Sequence, residues 1–278
     1  MDEKRRFSIK MTNEDWLEVQ KHVQEWIKEA GDLIIQSIGD ELTIEYKTST
    51  SDLVTNMDEQ IERFFIRKIK EAYPHHRILG EEGFGDDITS LDGVIWLIDP
   101  IDGTTNFVHQ RKHFAVSVAV YEDGTGKIGF IYDVTAGELY HCLRGEGAYL
   151  NGRKLPKLKR KQLSNSMMGL NATWITANRR IDPTVLGPLV TATRSTRSYG
   201  SAAIEMAYVA AGRLDIYISM RLSPWDFAAG LILIEEVGGV ITQLDGEPLD
   251  LLKQNSVLVA NPFIYEEILN VYILPKIK

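Results

Sequence analysis

The sequence predicts a layered α+β or α/β fold on three observations: two amphipathic helices precede the first strand, the middle of the chain is a run of strands, and strand and helix alternate thereafter. The first helix shows in Trp16, Val19, Val23, Trp26, Ile27, Ala30, Leu33, Ile34 and Ile38, which recur at three- and four-residue steps, with Thr12 and Asp15 as its capping signal. The second runs from about Met57 to Tyr73, with Ile61, Phe64, Phe65, Ile69 and Ala72 on one face and Pro74 as its stop. Between them GDELTIEYKTSTSDLVTNMD is polar and rich in Thr and Ser, which suits a hairpin or loop able to close over a ligand.

Strands follow at RIL (77–79), VIWLI (94–98), FAVSVAVYE (114–122), KIGFIYDV (127–134) and ELYHCL (138–143), mostly as a meander. Later, SAAIEMAYVAAG (201–212) reads as a helix ended by Gly212, DIYI as a strand, and PWDFAAGLILIEEVGG (224–239) as a helix that Pro224 starts and the double Gly stops. SVLVA (256–260) and a helix after Pro262 close the chain. GTGKIG (124–129) matches a dinucleotide-binding fingerprint in letters only: a β-pattern follows the glycines where that fingerprint needs a helix, so they read as a hairpin turn. The basic, polar stretch 151–164 marks the boundary between two halves, 1–155 and 156–278, of one compact unit.

With 278 residues, 44% of them hydrophobic and 25% charged, the chain is long enough to bury a large core. Its net charge of −8 and the lack of a long Lys/Arg run argue against a primary role in gripping nucleic acid. Cys142 is the single cysteine, which excludes an intrachain disulfide and fits a reducing compartment. No secretory leader pattern and no stretch of ~18 apolar residues is present, so the sequence reading places the protein in the cytoplasm, off the membrane.

Chemistry concentrates in WLIDPIDGTTNF (96–107). VIWLI is apolar at five successive positions, as in a strand covered on both faces, so Asp99 emerges beside the core. Asp102 falls at a plausible helix N-cap, and Gly103, Thr104 and Thr105 then offer first-turn amides suited to phosphate. Two carboxylates facing one small volume repel by ~1 kcal/mol at 4 Å in water and by more when buried, so they share a proton or bind a cation. Oxygen ligands favour Mg²⁺. Further acids stand at Glu81 and Glu82 in LGEEGFG, at Asp226 in PWDFAAG, and at Asp52 and Asp58 in DLVTNMD. Each alone is weak; together they fit a multi-metal phosphoryl-transfer site.

At these residues the chain resembles the inositol monophosphatase family of lithium-sensitive, Mg²⁺-dependent phosphatases. The matches are GEEG (80–83), WLIDPIDGTTNF (96–107), SPWDFAAG (223–230), DLVTNMD (52–58) and YGSAA (199–203), in family order across nearly the whole chain. The resemblance implies an α+β fold layered as an αβαβα sandwich of the inositol monophosphatase and fructose-1,6-bisphosphatase type, a homodimer, and two or three Mg²⁺ per site. It implies that Glu81, Asp99 and the carbonyl of Ile101 hold one metal, and Asp99, Asp102 and Asp226 a second. It pairs Thr105 with Asp58 to activate water, gives phosphate to Gly103 and Thr104 and further substrate contacts to Gly200, Ser201 and Ala202, and matches Lys47, five residues before Asp52, to the lysine of a mobile metal-linked loop.

One position departs from the pattern. Where the animal enzymes carry a Glu that binds inositol hydroxyls, this chain has Ser219. The expected function is thus hydrolysis of inositol monophosphate or a related small ester by metal-activated water, with a broader phosphatase acting on sugar phosphates, fructose 1,6-bisphosphate or the 2′-phosphate of NADP as the alternative. A reading from another class, a regulatory scaffold that binds RNA or a transcription partner, separates from both because Asp99→Asn would spare it. A metal-dependent binding module without turnover is disfavoured by the presence of Thr105 and Asp58 together.

Overall fold

Helix α1 (Asn13–Ser37) begins where the sequence places its cap: the Thr12 side chain accepts from the Asp15 amide and Asp15 accepts from the Thr12 amide, closing a capping box. The computed structural model describes residues 10–38, 44–46 and 53–277, and at 44–46, 53 and 54 the backbone alone. Lys47 and Asp52 lie outside the described residues. Strands β1 (Ile44–Tyr46) and β2 (Leu53–Thr55) pair antiparallel, and Thr55 caps α2 (Asn56–Ala72).

A seven-stranded sheet follows, built from β3 (Arg77–Gly80), β4 (Val94–Asp102), β5 (Ala115–Glu122), β6 (Thr125–Asp133), β7 (Glu138–Leu143), β8 (Gly147–Leu150) and β9 (Arg153–Lys154), in that spatial order. Only β3 and β4 pair in parallel; the rest is the meander the sequence predicts. The GTGKIG glycines do sit at a hairpin: Asp123 and Gly124, both at positive φ, turn β5 into β6. Between β4 and β5 lies the short helix α3 (Thr104–Gln110).

The second sheet has five strands, in the order β11 (Ser195–Arg197), β10 (Met167–Leu170), β12 (Ile216–Leu222), β14 (Asn255–Ala260), β13 (Val240–Thr242). Helices α4 (Pro183–Ala192), α5 (Ala202–Ala210) and α6 (Pro224–Glu236) and a helical stretch over 265–277 complete the chain. The sequence reading passes over β10, β11, β13 and α4, because three- and four-residue strands and a helix with Pro188 inside it are too short or too interrupted to leave a period.

Three apolar cores lie between the layers. One joins α1 and α2 to the outer face of the seven-stranded sheet, through Trp26, Ile27, Ile61, Phe65, Trp96 and Ile98. The second places α5 and α6 between the two sheets, with Ile95, Leu97, Phe227, Ile232 and Val257. The third covers the five-stranded sheet with α4 and the C-terminal helical stretch. This is the α+β sandwich, in αβαβα layers. Strand β4 shows why both faces had to be apolar: Ile95 and Leu97 serve the middle core, Trp96 and Ile98 the first.

Trp96 is fully buried, and its indole N–H donates to His76 Nδ1 at 3.0 Å. The His76 ring stacks on Tyr73, and burial pulls its pKa down to about 4. The neutral imidazole is therefore the form that folding selects, since protonation would remove the acceptor. From an unfolded value near 6.5, its contribution is present above about pH 6.5 and is lost as pH falls toward about 4. Between those values the wild type should lose stability relative to His76→Gln, whose amide oxygen still accepts; urea midpoints at pH 7, 5.5 and 4.5 measure the difference.

Candidate active site

A cavity of about 300 Å³ opens where the carboxyl ends of β4 and β12 meet the starts of α3, α5 and α6, and its lining includes Glu81, Asp99, Ile101, Asp102, Gly103, Thr104 and Asp226. Each carboxylate arrives differently. Asp99 ends the apolar part of β4, is 1% exposed, and takes the Ile101 amide on Oδ1. The β4–β5 register then shifts between Asp99 and Asp102, a bulge that lets two acids spaced by Pro-Ile line the same cavity.

Asp102 does not cap α3 as the sequence suggests. Gly103 takes that place at φ +96°, and the Asp102 carboxylate crosses to the start of α5, accepting from Ser201 Oγ at 2.5 Å and the Ala203 amide at 2.6 Å. Asp226, in the first turn of α6, accepts the Ser223 amide. Glu81 follows β3 in a turn shaped from behind by Glu62, which is fully buried on α2 and accepts the amides of Glu82 and Phe84. Glu82 does not line the cavity.

Burial raises the pKa of all three aspartates. Asp99 is pushed well above the usual carboxylate range, with Glu81 next as a cause. Asp226 is raised similarly, with Asp102 next. Asp102 reaches only about 6 because Ser201 and Ala203 stabilise its anion. Among the described residues no group of three or more His, Cys, Asp or Glu side chains stands at the spacing of a finished metal cage. The Asp99 carboxyl stands within hydrogen-bonding reach of Glu81, a pairing of acids that a shared proton or a bound cation relieves. The donor set is oxygen only, carboxylates plus the Ile101 carbonyl, which fits Mg²⁺.

The expected pairing of Thr105 with Asp58 is corrected by one position. Thr104 Oγ lies 3.1 Å from Asp58 Oδ1 and 3.1 Å from the Ile101 carbonyl, sharing its proton between them, while Thr105 is exposed. Successive helical side chains turn by about 100°, so where α3 starts decides which threonine faces inward. Asp58 is fully buried; its other oxygen accepts the Thr55 amide and hydroxyl in the capping box of α2. Burial raises it to about 6.

Gly200, Ser201 and Ala202 also line the cavity. Gly103 and Gly200 stand back to back at positive φ, and a Cβ on Gly103 would meet the Gly200 carbonyl at 3.2 Å. Asn106 ties the two turns together by donating to the carbonyls of His113 and Tyr199. Sequence reading missed Glu205, 3% exposed on α5, which accepts the Tyr199 amide at 2.6 Å and holds the Gly200 amide as well. Its signal was an acid inside an otherwise apolar helix. It missed Glu62 because on the charged, amphipathic α2 an acid reads as part of the solvent face, and it missed Asn171, Trp174 and Arg221, which line the cavity from elements it had not placed or had cut short.

The profile of the inositol monophosphatase family matches residues 15–274. The chain belongs to that family. It is 56% identical to the inositol-1-monophosphatase of Bacillus subtilis, over 95% of this chain and 98% of that one. It is similar to a solved structure of inositol monophosphatase II from Staphylococcus aureus, with 43% identity, 93% and 94% coverage and a TM-score of 0.85. A second solved structure, of an inositol monophosphatase/NADP phosphatase with Mg²⁺ and phosphate, shares 30% identity over 92% of this chain and 95% of that one at a TM-score of 0.85. The protein is thus a phosphatase of the inositol monophosphatase type. Among the described residues no helix is long and apolar enough to cross a membrane.

If Thr104 is the partner of Asp58, Thr104→Val should lower kcat for a phosphate monoester by about 100-fold or more, and Thr105→Val should change it little. Steady-state phosphate release separates the two, and the reverse ranking would return the role to Thr105.

Proposed function

We propose that this protein hydrolyses small phosphate monoesters, inositol monophosphates among them, with Mg²⁺ held by Glu81, Asp99, the Ile101 carbonyl, Asp102 and Asp226. The observation that carries the reading is the combination of five acids lining one cavity, Glu81, Asp99, Asp102, Glu205 and Asp226, with a buried Thr104–Asp58 hydrogen bond beside them. A site that only bound cations would have no use for the second element.

Mg²⁺ would supply positive charge to the phosphate and to the leaving oxygen. The chain's own residues do the rest. The amides of Gly103 and Thr104, at the start of α3, hold phosphate oxygens, and Gly200, Ser201 and Ala202 border the ester on the other side. Thr104 Oγ receives a hydrogen bond from the attacking water and passes its own proton toward Asp58, whose raised pKa keeps it useful as a base near neutral pH. The water oxygen forms the new bond to phosphorus as the ester P–O bond breaks; the leaving alkoxide takes a proton from solvent, and Asp58 gives the proton it accepted back to solvent.

Two or three Mg²⁺ per site and a homodimer are the stoichiometries the family resemblance implies, and we attach both to this reading. Phosphate release from inositol 1-phosphate should require Mg²⁺ and stop on chelation. Asp99→Asn should lower kcat by about 10³-fold or more, the cost of several kcal/mol of lost charge stabilisation. Retention of activity in Asp99→Asn at unchanged Mg²⁺ dependence would refute the assignment.

A further inference from the structure

The basic stretch between the two halves has no part in the site described above. RKLPKLKRK (153–161) carries six of the chain's 31 Lys and Arg residues and no acid, in a protein of net charge −8. After β9 it forms neither helix nor strand, yet its backbone is pinned to the rest of the molecule. The Leu155 amide donates to the Ala148 carbonyl, the Leu158 amide to the Val237 carbonyl, and the Asn261 side chain to the Lys159 carbonyl. Leu155 and Leu158 pack on the middle core, while Lys157, Lys159 and Arg160 are exposed. The result is a fixed strap of cations, which loses less freedom on binding an anion than a loose basic tail would.

Between this strap and the last turn of α5 lies a cavity of about 360 Å³, within the range of small-ligand sites. It is separate from the candidate active site. α5 rises by about 13 Å, with Ala202 at its start lining the one cavity and Ala210 at its end lining the other. Lys157, Lys159, Arg160 and Lys161 all line the second cavity. Two of them have duties in the fold. Lys157 Nζ donates to the Glu236 carbonyl at 2.7 Å, and Lys161 Nζ lies 3.3 Å from Asp215, a buried acid that also accepts the Met167 amide. Among the described residues Asp215 is the one acid on this wall, and Lys161 already answers it. The Lys159 and Arg160 side chains have no ion-pair partner among the described residues. The Arg160 guanidinium lies over the half-exposed ring of Phe263, 5.9 Å from its centre, which holds it beside the cavity.

Four cations around one small volume repel one another, and an anion bearing several charges relieves that repulsion. We propose that this cavity binds a small multivalent phosphate anion, of the inorganic triphosphate type, with Lys159 as a point charge and the Arg160 fork on two phosphate oxygens. Its walls favour a compact ligand over a long polyanion. The face of the one aromatic ring beside it is taken by Arg160, so it has none of the stacking platforms on which single-stranded nucleic acids lay their bases.

The test is isothermal titration of the full chain with sodium triphosphate at about 0.15 M salt, in buffer freed of divalent metal so that the bare acids of the phosphatase site repel the probe. One anion should bind per chain. Lys159→Gln and Arg160→Gln should each weaken it about 10-fold, and Arg153→Gln, a cation on the same strap outside the cavity, should leave it nearly unchanged. Neither Lys159 nor Arg160 has an ion pair to lose, so both variants should melt with the wild type. Absence of saturable binding would overturn the site, and so would an equal loss in Arg153→Gln, which would mark general surface charge. Vesicles of phosphatidylcholine with phosphatidylinositol 4,5-bisphosphate carry the same phosphate chemistry on a lipid. Sedimentation with them should leave the protein in the supernatant, and capture by vesicles without binding of free triphosphate would overturn the soluble ligand.

Discussion

Holding like charges together in a partly dry cleft is the constraint on which the rest of this molecule depends. Two carboxylates at 4 Å repel by ~1 kcal/mol in water and by roughly 4 kcal/mol at the effective dielectric of a protein surface. The chain meets this by tethering three of the aspartates through one oxygen each. Asp99 takes the amide of Ile101, Asp102 the donors at the start of α5, and Asp226 the Ser223 amide at the start of α6. Asp58 is tethered in the same way at the start of α2. In Asp102 and Asp226 a single oxygen carries these bonds, in Asp58 the second oxygen takes the Thr104 hydroxyl, and the positive ends of the longer helices lessen the repulsion.

The layering follows from that arrangement. α5 and α6 lie between the two sheets, so their first turns can reach acids on β4 and the end of β12 at once. Register shifts at Asp99–Asp102 and at Ser219–Leu222 place an irregular strand segment on each side of the cavity. One brings carboxylates, the other a hydroxyl and a guanidinium. A single sheet would present only one of these sets, and the reaction needs both a place for the phosphate and a place for the departing alcohol.

Supporting residues explain why the site resists small errors. Glu62 shapes the Glu81 turn, Glu205 gathers the amides of Tyr199 and Gly200, and Asn106 joins that turn to the loop after α3. Glu62 and Glu205 stand outside every motif named in the sequence, and Asn106, although inside WLIDPIDGTTNF, carries no role there that the sequence reveals. All are buried polar groups, and the partners of Glu62 and Asn106 reach far in sequence, up to the 93 residues between Asn106 and Tyr199. A buried acid must be satisfied, so an acid in an apolar helix is a clue that something is being held; what it holds is invisible until the chain is folded.

Much was settled locally. The amphipathic periods of α1 and α2, the capping residues Thr12 and Asp15, the both-faces-apolar β4 and the acids at its end are properties of short windows, where side-chain spacing and turn chemistry act without help from the rest of the chain. The family resemblance lies in those same windows. Tertiary structure decided the rest. It put Thr104 rather than Thr105 on Asp58, because the inward-facing residue depends on where a helix starts against a neighbouring strand. It sent Asp102 across to α5 in place of its own helix. It also brought Asn171, Trp174, Ser219 and Arg221 to one cavity, because the pairing of β10 with β12 joins residues 48 apart in the chain, a juxtaposition that no local pattern encodes.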